Sequence, residues 1–197
     1  MNADEPTALA LAARGGDSSA QTAFVRSTQA EVWRFTAALV DPGTADDLTQ
    51  ETYLRAFRAL PGFEGRSSVR TWLLGIARRV CADHLRAVVR RRRLDARLAA
   101  HVSTQHPHPD PALRLGAADL LAHLGVERRT AFVLTQVLGL SYAEAAQVED
   151  VPIGTIRSRV ARARDELVQS SWRPCPCRRV LKECHVLWAD QNTRDLV

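Results

Sequence analysis

The chain has 197 residues, 46% of them apolar, and a formal net charge of +5. That length suits one or two small domains, and no apolar run approaches the ~20 residues of a membrane span. The start lacks a basic segment leading into a long apolar one, and four cysteines, three crowded near the end, do not make a secreted disulfide framework. A cytoplasmic protein is expected.

The first segment reads as a short helix, Thr7 to Arg14, closed by Gly15-Gly16. Asp17 caps a long helix to about Val40, with Phe24, Trp33, Phe35 and Leu39 among its apolar positions. Asp41-Pro42-Gly43 reads as a turn. Thr44 with Asp47 then forms a variant of the capping box. The helix it opens carries Leu48, Tyr53, Leu54 and Phe57 and stops at Pro61-Gly62. A short polar loop, Phe63 to Ser68, precedes a long helix from about Val69 to Arg93, with Trp72, Leu73, Ile76, Val80 and Leu85.

Composition changes after Arg97. His101 to Pro111 holds three prolines and three histidines. It reads as a linker, which explains His101, His106 and His108 better than metal binding does. Asp110-Pro111 is a helix start, and helical patterns cover about Ala112–Leu124, Glu127–Leu138, Ser141–Val148 and Pro152–Gln169. The expectation is an all-α chain of two small helical domains joined by a flexible linker. The boundaries are 7–96, 97–110 and 111–169, with a tail over 170–197.

The second domain ends in a helix-turn-helix pattern. Gly139 closes one helix, Ser141 and Glu144 form a capping box, Glu149-Asp150-Val151 makes a turn, and Pro152 opens the next helix. In such a layout the second helix enters the major groove. On a helical wheel, Ile156, Val160, Ala163 and Leu167 share the core stripe. Arg157, Ser158, Ala161, Arg162 and Asp165 lie opposite, with Arg159 and Arg164 on the flanks. Small residues permit close approach to base edges, and arginines supply base and phosphate contacts. The competing explanation is an amphipathic helix with a solvated basic face.

Gly139 to Ala146, followed by Pro152-Ile153-Gly154-Thr155-Ile156-Arg157-Ser158-Arg159 through Arg164, resembles region 4 of the extracytoplasmic-function (ECF) sigma factors of the sigma-70 family. Asp46-Asp47-Leu48-Thr49-Gln50-Glu51-Thr52-Tyr53-Leu54-Arg55-Ala56 resembles the family's region 2 signature. Ser68-Val69-Arg70-Thr71-Trp72-Leu73 through Arg79 resembles the segment after it. The matches fall in the family's order and spacing, over about Leu9 to Val168, and their texture is nearest the actinobacterial sigma-C type.

The resemblance implies a subunit that joins core RNA polymerase, through the β′ clamp coiled coil and the β flap, and binds promoter DNA. Docking on the polymerase would use Asp46, Asp47, Gln50, Glu51 and Arg55. Acids here also favour a helix dipole by themselves. The −10 element would meet the loop residues Phe63, Glu64, Arg66, Ser67 and Ser68, which offer polar and planar groups for an extruded base. Arg70, Arg78, Arg79 and Arg86 would follow on the next helix, with Arg90 to Arg93 beyond as phosphate trackers, Arg91 to Arg93 alternatively a solvated basic tail leading into the linker. Trp72 reads as a core or hinge aromatic rather than a stacking platform. The −35 element would meet Thr155, Arg157, Ser158, Arg159, Ala161 and Arg162. An anti-sigma factor is a further candidate partner.

No catalytic residue, cofactor or metal is expected: the chain holds no phosphate-cradling glycine loop, zinc-hydrolase histidine pair or nucleophile elbow. The tail departs from the family. Cys175, Cys177, Cys184 and His185 are zinc-type ligands without a standard spacing, and redox chemistry is an alternative. A lineage-specific tail or a shifted reading frame near Ser170 explains them as well. Cys81 lies in a helical pattern and reads as buried packing. Two other functions compete: a helix-turn-helix repressor or activator that works without polymerase, which leaves Asp46–Arg79 without a purpose, and an enzyme built on the cysteine tail.

Overall fold

The computed structural model describes residues 5–99 and 117–171. The expected linker from residue 100 onward, the Asp110-Pro111 helix start and the tail cysteines lie outside the described residues. Every regular element among the described residues is helical.

Four helices build the front half: α1 (Glu5–Ala13), α2 (Ser18–Leu39), α3 (Pro42–Ala59) and α4 (Val69–Ala99). Asp17 begins α2 as its sequence position suggests, accepting from the Ser19 N–H at 2.8 Å. Those Ser19 bonds hold the Asp17 carboxyl below its ordinary range. Phe24, Val32, Phe35 and Leu39 then share the buried face of α2.

The start of α3 corrects the expected turn. Asp41, not Thr44, is the N-cap: its Oδ1 accepts from the Thr44 N–H at 3.0 Å, and Pro42 begins the helix. Proline suits that position because its missing N–H would be unpaired there anyway. The helix therefore starts ahead of Thr44, whose hydroxyl donates to Asp41 at 2.7 Å.

Phe24 packs edge-on against Tyr53 and Phe57, with ring centroids 6.2 and 6.3 Å apart. The buried Tyr53 hydroxyl meets Thr28 Oγ1 at 2.7 Å, and burial pushes its pKa up to about 12. Complete burial of a side chain such as Phe24 or Phe35 stabilises by roughly 1.5–3 kcal/mol relative to exposure.

Helix α4 has 31 residues, about 46 Å at 1.5 Å per residue. It continues through Ala99, past the expected linker start at 97. Its buried positions, Val69 to Cys81, end near the middle. From Arg90 to Ala96 every position is exposed.

The rear half comprises α5 (Ala117–Ala122), α6 (Val126–Phe132) continued by π turns over Val133–Val137, α7 (Tyr142–Glu149) and α8 (Ile153–Ser171). Gly139 sits at φ +71°, the left-handed conformation that closes helices and favours glycine. The two halves share one contiguous core, and α7 packs along α4. Arg129 donates to the Leu39 carbonyl at 3.3 Å and to the Ala122 and Leu124 carbonyls at 2.7 and 3.1 Å. One guanidinium thus ties the end of α2 to the rear half.

Candidate nucleic-acid interface

The rear site starts from the α7 cap. Ser141 Oγ accepts from the Glu144 N–H at 3.2 Å, and the Glu144 carboxylate accepts from the Ser141 N–H at 2.8 Å. The Ser141 hydroxyl also donates to the Glu144 carboxylate at 2.7 Å, and this bond first, then the Ser141 N–H, holds the Glu144 carboxyl below its ordinary range. Helix α7 ends at Asp150, in the left-handed region at φ 55°, which asparagine and aspartate tolerate better than most residues. The chain then turns into α8. Ile156, Val160 and Ala163 are buried, Leu167 is partly buried, and Arg157, Ser158, Ala161, Arg162 and Asp165 are exposed on the other side. Thr155 is half-buried, and its carbonyl accepts from the Ser158 hydroxyl at 2.9 Å.

Arg159 differs from the other expected −35 contacts. It is paired with the Glu149 carboxylate and donates to Glu127 at 2.8 Å. Glu149 is 2% exposed, and its Oε1 has no hydrogen-bond partner. Burial pushes the Glu149 carboxyl up, while Arg159 and then Arg78 oppose that shift. The side chain of Arg159, 16% exposed, is therefore committed to the turn that orients α8. A wheel places Arg159 on the flank but carries no signal that Glu149 lies buried beneath it.

On α3, Asp47 and Gln50 are exposed, as is Asp46, whose Oδ1 accepts from the Trp33 indole at 2.7 Å. Arg55 donates to Glu51 at 2.7 Å and to Asp83 of α4 at 2.9 Å. Its guanidinium is raised first by Asp83 and then by Glu51. Arg55 therefore joins two helices. Leu54, one of the apolar residues the helix carries, is 55% exposed. Asp47, Gln50 and Leu54 are spaced as i, i+3 and i+7, one helix face, and that spacing was available to find it. Trp33, also among the expected apolar positions, is exposed, its indole nitrogen held by Asp46.

The loop before α4 divides in two. Phe63 is buried, its ring centroid 4.9 Å from that of Trp72. It is therefore a core aromatic, which corrects its reading as a surface for a base. Gly65 adopts φ +72°, leaving Glu64 and Arg66 exposed and paired at 2.6 Å. Ser67 is half-buried. Ser68 accepts from the Thr71 N–H at 3.2 Å and so caps α4.

Of the arginines on α4, Arg79 and Arg86 are exposed, the latter bonded to Asp83 at 2.6 Å. Arg70 faces inward instead: its Nε donates to Glu31 at 2.8 Å, and its Nη2 donates to the Leu138 carbonyl. Arg78 is half-buried and acts on the buried Glu149. Arg70 is thus held between α2 and the end of the π turns, while Arg78 lies near the end of α7.

A helical bundle bearing an acidic and apolar ridge, coupled to a helix-turn-helix with an arginine face, defines a DNA-targeting subunit. The sigma-70 region 2 family model matches residues 24–93, and the sigma-70 region 4 model matches residues 115–167. The chain is 52% identical to the ECF RNA polymerase sigma factor SigC of Mycobacterium tuberculosis over 82% of this chain and 89% of the relative. It is 32% identical to the ECF RNA polymerase sigma-E factor of Escherichia coli over 77% and 86%. Among solved structures, the sigma factor RpoE in complex with the anti-sigma factor NepR, from Bartonella quintana, matches with a TM-score of 0.57 at 28% identity, covering 74% of this chain and 92% of that one. The chain belongs to the sigma-70 family, in its extracytoplasmic-function branch. It is a sigma factor, a class that binds core RNA polymerase and promoter DNA. No described helix is long and apolar enough to cross a membrane.

Proposed function

We propose that the sigma activity is divided between two faces. Helix α3 docks on the β′ clamp coiled coil through Asp47, Gln50 and Leu54, with Asp46 and Glu51 beside them. Helix α8 enters the major groove of the −35 element with Arg157, Ser158, Ala161 and Arg162. The observation that carries this reading is the two-sidedness of α8, with Ile156, Val160 and Ala163 buried beneath an exposed arginine face. Small residues between arginines let the helix backbone approach base edges, and each bidentate arginine–guanine contact discriminates by about 1–3 kcal/mol.

The loop tip, Glu64 to Ser67, receives a base extruded from the −10 element. Binding the opened strand offsets an unstacking cost of about a few kcal/mol. Arg79 and Arg86 track phosphates, so affinity falls with salt. Arg55 and Arg159 hold the fold. Arg78 reaches DNA only in an arrangement where α7 has left α4, and Arg70 only where it has also released Glu31 and Leu138.

The chain makes and breaks no bonds itself; the polymerase does. It works in the cytoplasm, and its rear half also meets the β flap. The likeness to RpoE held by NepR supports an anti-sigma factor as a further partner.

The test is Arg157→Ala combined with Arg162→Ala. Transcription that depends on the −35 element should fall at least tenfold while assembly with core polymerase stays intact. Equal transcription by the variant and the wild type would refute the assignment of α8.

A further inference from the structure

We propose that Thr7, on the N-terminal helix α1, is the positioning residue for the −10 loop. The proposal rests on the reading of that loop given above. The Val69 N–H opens α4, and it donates to Thr7 Oγ1 at 3.1 Å across 62 residues of chain. The first N–H groups of a helix have no partner within it. Val69 is 0% exposed, so water is no substitute. Ser68 Oγ takes the Thr71 N–H at 3.2 Å, and Thr7 takes that of Val69.

The loop is consequently pinned at both ends. Phe63 is seated on Trp72 at one end, and the Ser68–Val69 junction is held at the other by a hydroxyl from α1. Between the pins, Glu64, Gly65 and Arg66 are exposed. This length of chain would receive the base, and its geometry depends on where α4 begins.

Helix α1 packs on both α2 and α4, which gives Thr7 a fixed platform. Removing its acceptor leaves a buried donor unpaired, so the first turn of α4 and the loop before it spend time in other conformations. Apparent affinity for the base-bearing strand then falls by the fraction of molecules left competent.

The experiment compares Thr7→Val, which keeps the shape and removes the acceptor, with Thr7→Ser, which keeps the acceptor. Each is assembled with core RNA polymerase. The probe is a single-stranded non-template oligonucleotide from a promoter that the wild-type holoenzyme transcribes, and core affinity is read in parallel. Thr7→Val should bind the strand about tenfold more weakly. Thr7→Ser should stay within about twofold of wild type, and both should bind core normally.

Wild-type strand binding by Thr7→Val would overturn the proposal. Equal losses in the two variants, or a parallel fall in core affinity, would also overturn it, because either shows general packing rather than the hydroxyl. Arg66→Ala with Ser67→Ala separates the underlying reading. If that variant binds the strand normally, the loop itself is wrongly assigned, and the proposal falls for that reason instead.

Discussion

Replacing Arg159 separates an arginine that builds the fold from the arginines proposed to read DNA. In Arg159→Ala the Glu149 carboxylate, 2% exposed, loses its cationic partner while one of its oxygens is already unpaired. Breaking a buried pair from one side costs about 3–5 kcal/mol. The second bond, to the largely exposed Glu127, adds at most about 1 kcal/mol. For a chain of this size 1 kcal/mol moves the midpoint by about 2–4 °C, so Tm should fall by roughly 6–24 °C.

Arg157→Ala and Arg162→Ala, both at exposed positions, should change stability by no more than about 0.5 kcal/mol. Far-UV circular dichroism during heating reads all three. The pH dependence adds a second check. Burial raises the Glu149 pKa, so stability linked to it is complete below the ordinary glutamate value and is lost as pH rises through the raised one. Removing Arg159 raises it further, and the deficit of Arg159→Ala should therefore be smaller at pH 4.5 than at pH 7.5. Arg159→Met with Glu149→Leu should recover most of the loss. The reasoning fails if Arg159→Ala melts like Arg157→Ala and yet loses the −35 element.

Ser141→Ala should cost about 1 kcal/mol in urea unfolding. The lowered Glu144 pKa gives the wild type stability that is complete above the ordinary glutamate value and lost as pH falls through the lowered one, so the deficit of Glu144→Gln in urea unfolding should be largest near neutral pH and shrink as the pH falls. Gly139→Ala puts a Cβ at φ +71° and should destabilise by about 1–2 kcal/mol, read as a lower denaturant midpoint at unchanged slope. Cys81 is buried, its thiol pushed up to about 12 by that burial. In a Cys175/Cys177/Cys184→Ser background it should resist iodoacetamide until the protein unfolds. Leu54→Glu should weaken assembly with core polymerase at least tenfold without lowering Tm, as measured by fluorescence anisotropy.

Much of the fold is legible because local signals agree with the tertiary answer. Asp17, the Ser141–Glu144 box and Gly139 each set a helix end by chemistry confined to a few residues. The start of α3 is ambiguous in sequence because Asp41 and Thr44 are both competent caps, and the proline between them decides for the earlier one. The site divides along the same line. Arg157 and Arg162 follow from the period of α8, since exposure opposite a buried stripe is a property of one helix.

Arg55, Arg70 and Arg159 do not follow, because their partners, Asp83, Glu31 and Glu149, come from other elements. An arginine on a basic face looks the same in sequence whether it meets a phosphate or a buried carboxylate. The burial of Phe63 is hidden in sequence for a similar reason: it depends on Trp72, nine positions away on the next helix. The hydrogen bond from Val69 to Thr7 spans 62 residues, and no spacing rule reaches it.

Run-off transcription tests the division between α3 and α8 most directly, using purified chain and core RNA polymerase on genomic fragments. The account predicts discrete start sites that appear only when both are present, disappear with Leu54→Glu for want of assembly, and disappear with Arg157→Ala plus Arg162→Ala despite normal assembly. Tight promoter binding by the chain alone, with no transcript when core is added, would contradict it.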